Sequence, residues 1–277
     1  MMRYQQIRKK HFSSQVTKLK KRTKIDISNW KKNPYTFLKA RLFIEVSSII
    51  VFFLQYTKIS PNFVTSVYIF LGFLSGVFLA SNNNDLILIA LFLLVFKNVI
   101  DWSDGLLARI KKTTSNLGDV LDRWGSIVGY NSFIFGFGFY LYHDSDNNPI
   151  FLLLMFSIIF LKSIDLKDFV YHLIGYKFIK ETSKADALKF MKLNKKLSNT
   201  INQKKFQSLK NRILMLLDDS RSHTIDPIAL IIFIDNFYYN LLFVDFIFYL
   251  IFLKNLIFFL GGIYISCFKN HLIRNTK

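Results

Sequence analysis

The sequence predicts an all-α integral membrane protein with six transmembrane helices, an N-terminal interfacial helix and a helical cytosolic insertion. Three observations carry this prediction. Of 277 residues, 52% are hydrophobic and 17% aromatic, yet the net charge is +19, a combination that soluble domains seldom show. The charge is segregated, with Lys and Arg crowded between long apolar runs that carry almost none. Counted in order, those runs alternate basic connections with connections free of Lys and Arg, as the positive-inside rule requires.

Residues 1–38 hold KK, KLKKR and WKK clusters with one acid, Asp26. They read as a solvated, basic cytosolic arm that touches anionic lipid headgroups. Nucleic-acid binding lacks a recognisable module behind the charge. The arm has no apolar core of the kind a cleavable signal peptide carries, so none is expected. Residues 39–60 follow, apolar but interrupted by Glu45, Ser47, Ser48 and Gln55. If this segment crossed the membrane, the thirteen Lys and Arg up to Arg41 would lie opposite the basic connector at 110–112. An interfacial helix avoids that conflict.

Residues 61–164 supply four spans. The first opens at Ile59-Ser60-Pro61-Asn62-Phe63-Val64-Thr65, where Pro61 suits a helix start and Asn62 helps to cap it, and ends at SNNND. The second runs from about Leu86 to Trp102, the third from about Val120 to Tyr142, and the fourth from about Pro149 to Phe160. Gly125, Gly129, Gly136 and Gly138 on the third permit close helix packing. Residues 165–223 form a lysine-rich insertion, expected as one or two amphipathic cytosolic helices. Residues 224–277 hold two more spans, a turn near Asn240 to Asp245 and a basic tail. Asp235, inside the first of these two spans, reads as a packed polar residue. With six spans, both termini, the connector and the insertion share the basic, cytoplasmic face. The single cysteine, Cys267, excludes an internal disulfide and gives no zinc pattern.

Asp101 to Ser126, DWSDGLLARIKKTTSNLGDVLDRWGS, is the stretch the spans support. Helical spacing puts Asp101 and Asp104 on one face of the second span, with Ala108 a turn further on; Asp119, Asp122 and Ser126 share a face of the third. The connector, roughly Ile110 to Leu117, is short enough to make the two helices antiparallel neighbours, so the acids can confront each other across a cleft. Clustered carboxylates repel, and a hard divalent cation is the usual remedy, Mg²⁺ first and Mn²⁺ second. Gly105 leaves the backbone open to a ligand, and Arg109 offers a planar fork for phosphate. Together these residues describe a phosphoryl-transfer site.

Asp101, Asp104, Gly105, Ala108, Arg109, Gly118 and Asp122 reproduce seven of the eight fixed positions of D-x2-D-G-x2-A-R-x8-G-x3-D-x3-D. The sequence therefore resembles the CDP-alcohol phosphotransferases, membrane enzymes of phospholipid biosynthesis. The resemblance implies transfer of a phosphatidyl or phospho-alcohol group from a CDP-linked donor to an alcohol acceptor, with release of CMP. One of the two substrates would be a lipid. It also implies six spans, metal held by Asp101, Asp104 and Asp122, CDP contacts from Gly105 and Ser115, and a homodimer. Pro61, Asn62 and Thr65 resemble the family's P-N-x-x-T element, which lies near the nucleotide. The chain's compact size points to a prokaryotic plasma membrane.

Ser126 stands where the family has its last aspartate, the residue thought to deprotonate the attacking hydroxyl. Serine is neutral near pH 7 and cannot take that part unaided. Three readings follow. Asp119, a turn before Asp122, supplies the missing carboxylate; the acceptor brings an oxygen already ionised; or the protein is a catalytically impaired relative that binds lipid and nucleotide. A transporter fits poorly, because the acids cluster at one face rather than at the midplane. The acceptor stays open among inositol phosphate, glycerol phosphate, serine and diacylglycerol.

Overall fold

The computed structural model describes residues 2–23, 34–163, 225–238 and 244–263, and these are helical apart from short turns. The whole basic insertion at 165–223, the turn near Asn240 and the tail beyond 263 lie outside the described residues. The chain divides into two compact units, Met1–Tyr140 and Leu141–Lys277.

The first unit begins with α1 (Tyr4–Thr23) and α2 (Pro34–Leu54). The basic arm is thus not simply solvated, because α1 packs its Ile7, His11 and Gln15 stripe inward. His11 is fully buried, with Nδ1 3.2 Å from Ser47 Oγ and Nε2 3.3 Å from Gln15 Nε2. Buried polar groups need such partners, and here they account for Ser47 in the middle of an apolar helix. Trp102, next to the first signature aspartate, meets Phe43 and His11 edge-on at 5.6 and 5.9 Å. The two N-terminal helices therefore buttress the back of the signature helix.

Glu45 fastens α1 to α2. It accepts from Arg8 Nε at 2.6 Å and from Tyr4 Oη at 2.9 Å. Partial burial works to raise its pKa, but the hydrogen bonds from Arg8 and Tyr4, with the charges of Arg8 and Arg41, outweigh it and hold the carboxyl below the ordinary glutamate range.

Helix α3 (Pro61–Leu79) starts as its sequence dictates: Ser60 Oγ accepts from Phe63 N at 3.2 Å, with Pro61 in the first turn. The cap is Ser60 rather than the expected Asn62. Helix α4 (Asn84–Lys111) is capped by Asn83 and ends where Lys112 takes a left-handed conformation, φ 57°. It runs nine residues past the expected end at Trp102, so the whole first half of the signature is helical. Ser115 Oγ accepts from Gly118 N at 3.0 Å and starts α5 (Asn116–Asp144). Lys111 Nζ donates to Thr57 O and Ile59 O, both at 2.8 Å, and so bolts the connector to the loop before α3.

Helices α3 and α5 touch backbone to backbone. A Cβ on Gly76 would collide with the Ser132 main chain, and one on Gly136 would lie 2.6 Å from Gly76 O. Small residues at such crossings let spans approach without a hydrophobic drive between them. On the outer side, Phe63, Phe70, Phe73 and Val77 of α3 and Leu88, Phe92 and Val95 of α4 are exposed, an apolar surface suited to lipid.

The second unit holds the end of α5, α6 (Ile150–Ser163), α7 (Ile225–Phe237) and α8 (Val244–Ile263). Phe151 of α6 packs on Phe248 and Tyr249 of α8. Asp235 is buried on the inner face of α7, with Ile225, Ile228, Ala229 and Ile232. Among the described residues three helices are long and apolar enough to cross a membrane: α3, α4 and Val244–Gly261 of α8. The α6 segment Ile150–Lys162 is apolar but shorter.

Two outcomes test this packing. Gly76→Ala should cost about 1 to 3 kcal/mol through overpacking, measured by unfolding in detergent, whereas Gly261→Ala, whose Cβ would meet nothing within 4 Å, should be neutral. A carboxyl held below its ordinary value stabilises the fold above the unfolded pKa and loses that contribution as pH falls through the folded one. The protection of α1 amides relative to their intrinsic exchange rate should therefore hold above the ordinary glutamate range and fall as pH drops below it, and Glu45→Gln should remove that fall in protection.

Candidate functional site

The site is built where the starts of α3 and α5 meet the end of α4. Thr65 is buried, and its hydroxyl lies 2.6 Å from Asp104 Oδ2 and 3.1 Å from Pro61 O. A threonine hydroxyl carries one proton; donated to Asp104, it fixes the carboxylate in one rotamer. The charges that reach Asp104 are those of Asp122 and Arg109. Asp104 and Asp122, one on each signature helix, are thus within electrostatic reach of each other.

Arg109 is exposed and folds back along its own helix, so that a Cβ on Gly105 would stand 3.4 Å from Nη1. The guanidinium occupies the space that Gly105 leaves open. Asn62 Oδ1 points to the start of α5, 3.2 Å from where a Cβ of Gly118 would be. Pro61, Asn62 and Thr65 therefore line the same corner as Gly118, Asp104 and Asp122. Ser115 is exposed and spends its hydroxyl on the Gly118 amide. Ala108 is half-buried on α4, one turn beyond Asp104.

Tyr68 was not singled out by its sequence. It lies one turn beyond Thr65 on α3, 4% exposed, and its hydroxyl donates to Asp122 O at 3.0 Å. Ser126 Oγ donates to the same carbonyl at 3.0 Å, so the Ser126 and Tyr68 hydroxyls lie side by side on it. The phenol also lies within electrostatic reach of Asp101, Asp122 and Asp104. Helical spacing from Thr65 was the available signal, but a tyrosine in an apolar run reads as core. Gly125 makes room for it: a Cβ there would lie 2.6 Å from Tyr68 Cζ and collide with the hydroxyl.

The other signature positions differ in their place. Ser126 is turned toward its own helix and toward Tyr68. Asp119 is exposed in the first turn of α5 and is not among the charges that reach Asp104 or Tyr68. Among the described residues no three acids, histidines or cysteines come close enough to hold a metal ion by themselves. The pair Asp104 and Asp122 still suits Mg²⁺, which is commonly held by one or two carboxylates, retained waters and substrate phosphates.

Two substitutions probe the Tyr68 seat. Gly125→Ala should lower stability by about 1 to 3 kcal/mol, and part of that loss should disappear in a Tyr68→Phe background, where one of the colliding atoms is gone. The test is a double-mutant cycle read by unfolding in detergent; additive losses would place the clash elsewhere.

The family profile described as CDP-alcohol phosphatidyltransferase matches residues 58–197, half of the chain. That span begins just before α3 and takes in every residue of the site described above. No curated protein matches the chain significantly.

Proposed function

The chain belongs to the CDP-alcohol phosphatidyltransferase family, and from that premise we propose that it is an active member of it. Transfer of a phosphatidyl group from a CDP-alcohol is the reaction the family performs. On this reading an alcohol acceptor attacks the phosphorus that carries the non-nucleotide group. A new P–O bond forms, the bond to the oxygen bridging to the nucleotide phosphate breaks, and CMP leaves. The proton of the acceptor hydroxyl passes to a carboxylate.

The observation that carries this reading is the Thr65–Asp104 bond at 2.6 Å, which joins the P-N-x-x-T element to the first half of the signature; Asn62 beside Gly118 supports the same reading for the second half. Asp122 is the carboxylate we assign to take the proton, since it is exposed and its backbone carbonyl is held by Tyr68 and Ser126. Arg109 balances charge on the pyrophosphate, and Asn62 and Gly118 leave room for the nucleotide beside them. Asp104 and Asp122 would hold a divalent cation shared with the substrate phosphates, which supplies neutralisation of the charge that develops during transfer. Asp101 lies a turn deeper and supports the layer around Tyr68. A water-soluble nucleotide can meet a lipid here, at the cytoplasmic edge of the bilayer, with α2 lying in the interface.

A second reading, a lipid- and nucleotide-binding relative without turnover, draws on Ser126, whose hydroxyl donates to Asp122 O. Neither Asp119 nor Ser126 is then a base, and only the assignment to Asp122 separates the two readings.

The experiment is CMP release by the purified protein in liposomes with Mg²⁺ or Mn²⁺ against a chelator. CDP-diacylglycerol is offered with a mixed acceptor pool, and CDP-choline and CDP-ethanolamine with diacylglycerol. Metal-dependent release is expected, with Asp104→Asn and Asp122→Asn each losing about a hundredfold or more. Thr65→Val should lose about tenfold, the worth of one hydrogen bond to a charged group. Ser126→Asp should lower the rate by crowding Tyr68 with a carboxylate. A large gain in that variant, or no release with any donor, would favour the second reading.

A further inference from the structure

Lys97 is a charged side chain of the first unit that the proposed reaction leaves unused. It lies on α4, one turn before Asp101, and is 6% exposed. Its side chain runs into a slot between two glycines of the neighbouring helices. A Cβ on Gly129 of α5 would lie 2.5 Å from Nζ, and one on Gly72 of α3 would lie 3.4 Å from Cδ and 3.6 Å from Nζ. Any larger residue at 129 would displace the ammonium.

The three positions form a layer. Gly72 follows Tyr68 by one turn of α3, Lys97 precedes Asp101 by one turn of α4, and Gly129 follows Gly125 and Ser126 by one turn of α5. On every helix the slot therefore sits one turn deeper than the layer of Tyr68, Asp101 and Ser126. A cation at that depth in a span is costly unless anions answer it, and Asp101 stands at the i+4 position of its own helix.

We propose that Lys97 is a positioning residue that acts as the resident cation of the site: seated in the Gly72–Gly129 slot, its ammonium balances the carboxylates of the layers above. It thereby weakens the attraction of the site for a divalent ion, in the same direction as the loss of a carboxylate at Ser126. This rests on the reading of Asp104 and Asp122 as metal ligands, so the test separates the two.

Mn²⁺ binding to the full-length protein in detergent is followed by the spectrum of free Mn²⁺, beside unfolding in chelator. Lys97→Met and the more polar Lys97→Gln should both bind Mn²⁺ at least about tenfold more tightly than the wild type and be less stable in chelator. Loss of stability with unchanged Mn²⁺ affinity would mean that the lysine only fills its slot, and would overturn the proposal. If the wild type and Asp104→Asn bind Mn²⁺ equally, or not at all, the metal reading fails instead. The proposal is then decided in chelator by a cycle of Lys97→Met with Asp101→Asn: Asp101→Asn should restore part of the lost stability, and additive losses would overturn it.

Discussion

Everything at the candidate site hangs on the contact between α3 and α5. Main-chain atoms meet at Gly76, Ser132 and Gly136, with no side chains in between to absorb error. Such a crossing fixes the register of the two helices to a fraction of a turn. Two turns toward the signature, this register decides that the Tyr68 hydroxyl finds the Asp122 carbonyl and not the one a residue away. Another turn on, it decides that Thr65, Asn62 and Gly118 stand around Asp104. The chemistry at the mouth of the bundle is set by packing that carries no chemistry itself.

The parts of this arrangement that were legible in the sequence are those written in spacing. Asp101, Asp104, Asp119, Asp122 and Ser126 declare two helical faces, Ser60-Pro61 declares a helix start, and the glycines of the third span declare a close crossing. What was illegible depends on which neighbour a residue meets. Tyr68 and Lys97 look like an aromatic and a stray charge in apolar runs until α5 is placed beside them. Lys111 reads as one more cytosolic charge, yet its ammonium is bound by two loop carbonyls. The arm at 1–38 reads as solvated because its basic residues dominate, whereas the stripe of Ile7, His11 and Gln15 is too polar to announce a buried face.

Ser126 changes meaning once it has neighbours. As a letter in a motif it is a missing acid. In the structure its hydroxyl shares the Asp122 carbonyl with Tyr68, a place where a carboxylate would meet an acceptor already engaged. Asp119, the natural substitute by spacing, points to solvent from the first turn of α5. The pair that remains, Asp104 within reach of Asp122, matches the one or two carboxylates that commonly hold Mg²⁺ beside substrate phosphates.

The bond from Lys111 to the carbonyls of Thr57 and Ile59 has a mechanical consequence. It ties the last turn of α4 to the only covalent link between α2 and α3, so these three ends behave as one plate with few independent degrees of freedom. The start of α5 is tied to the same plate through α3, by the Tyr68 hydroxyl on the Asp122 carbonyl. A displacement of any one of these helix ends is therefore passed to the others, and the corner around Thr65 and Asp104 moves with them as a unit.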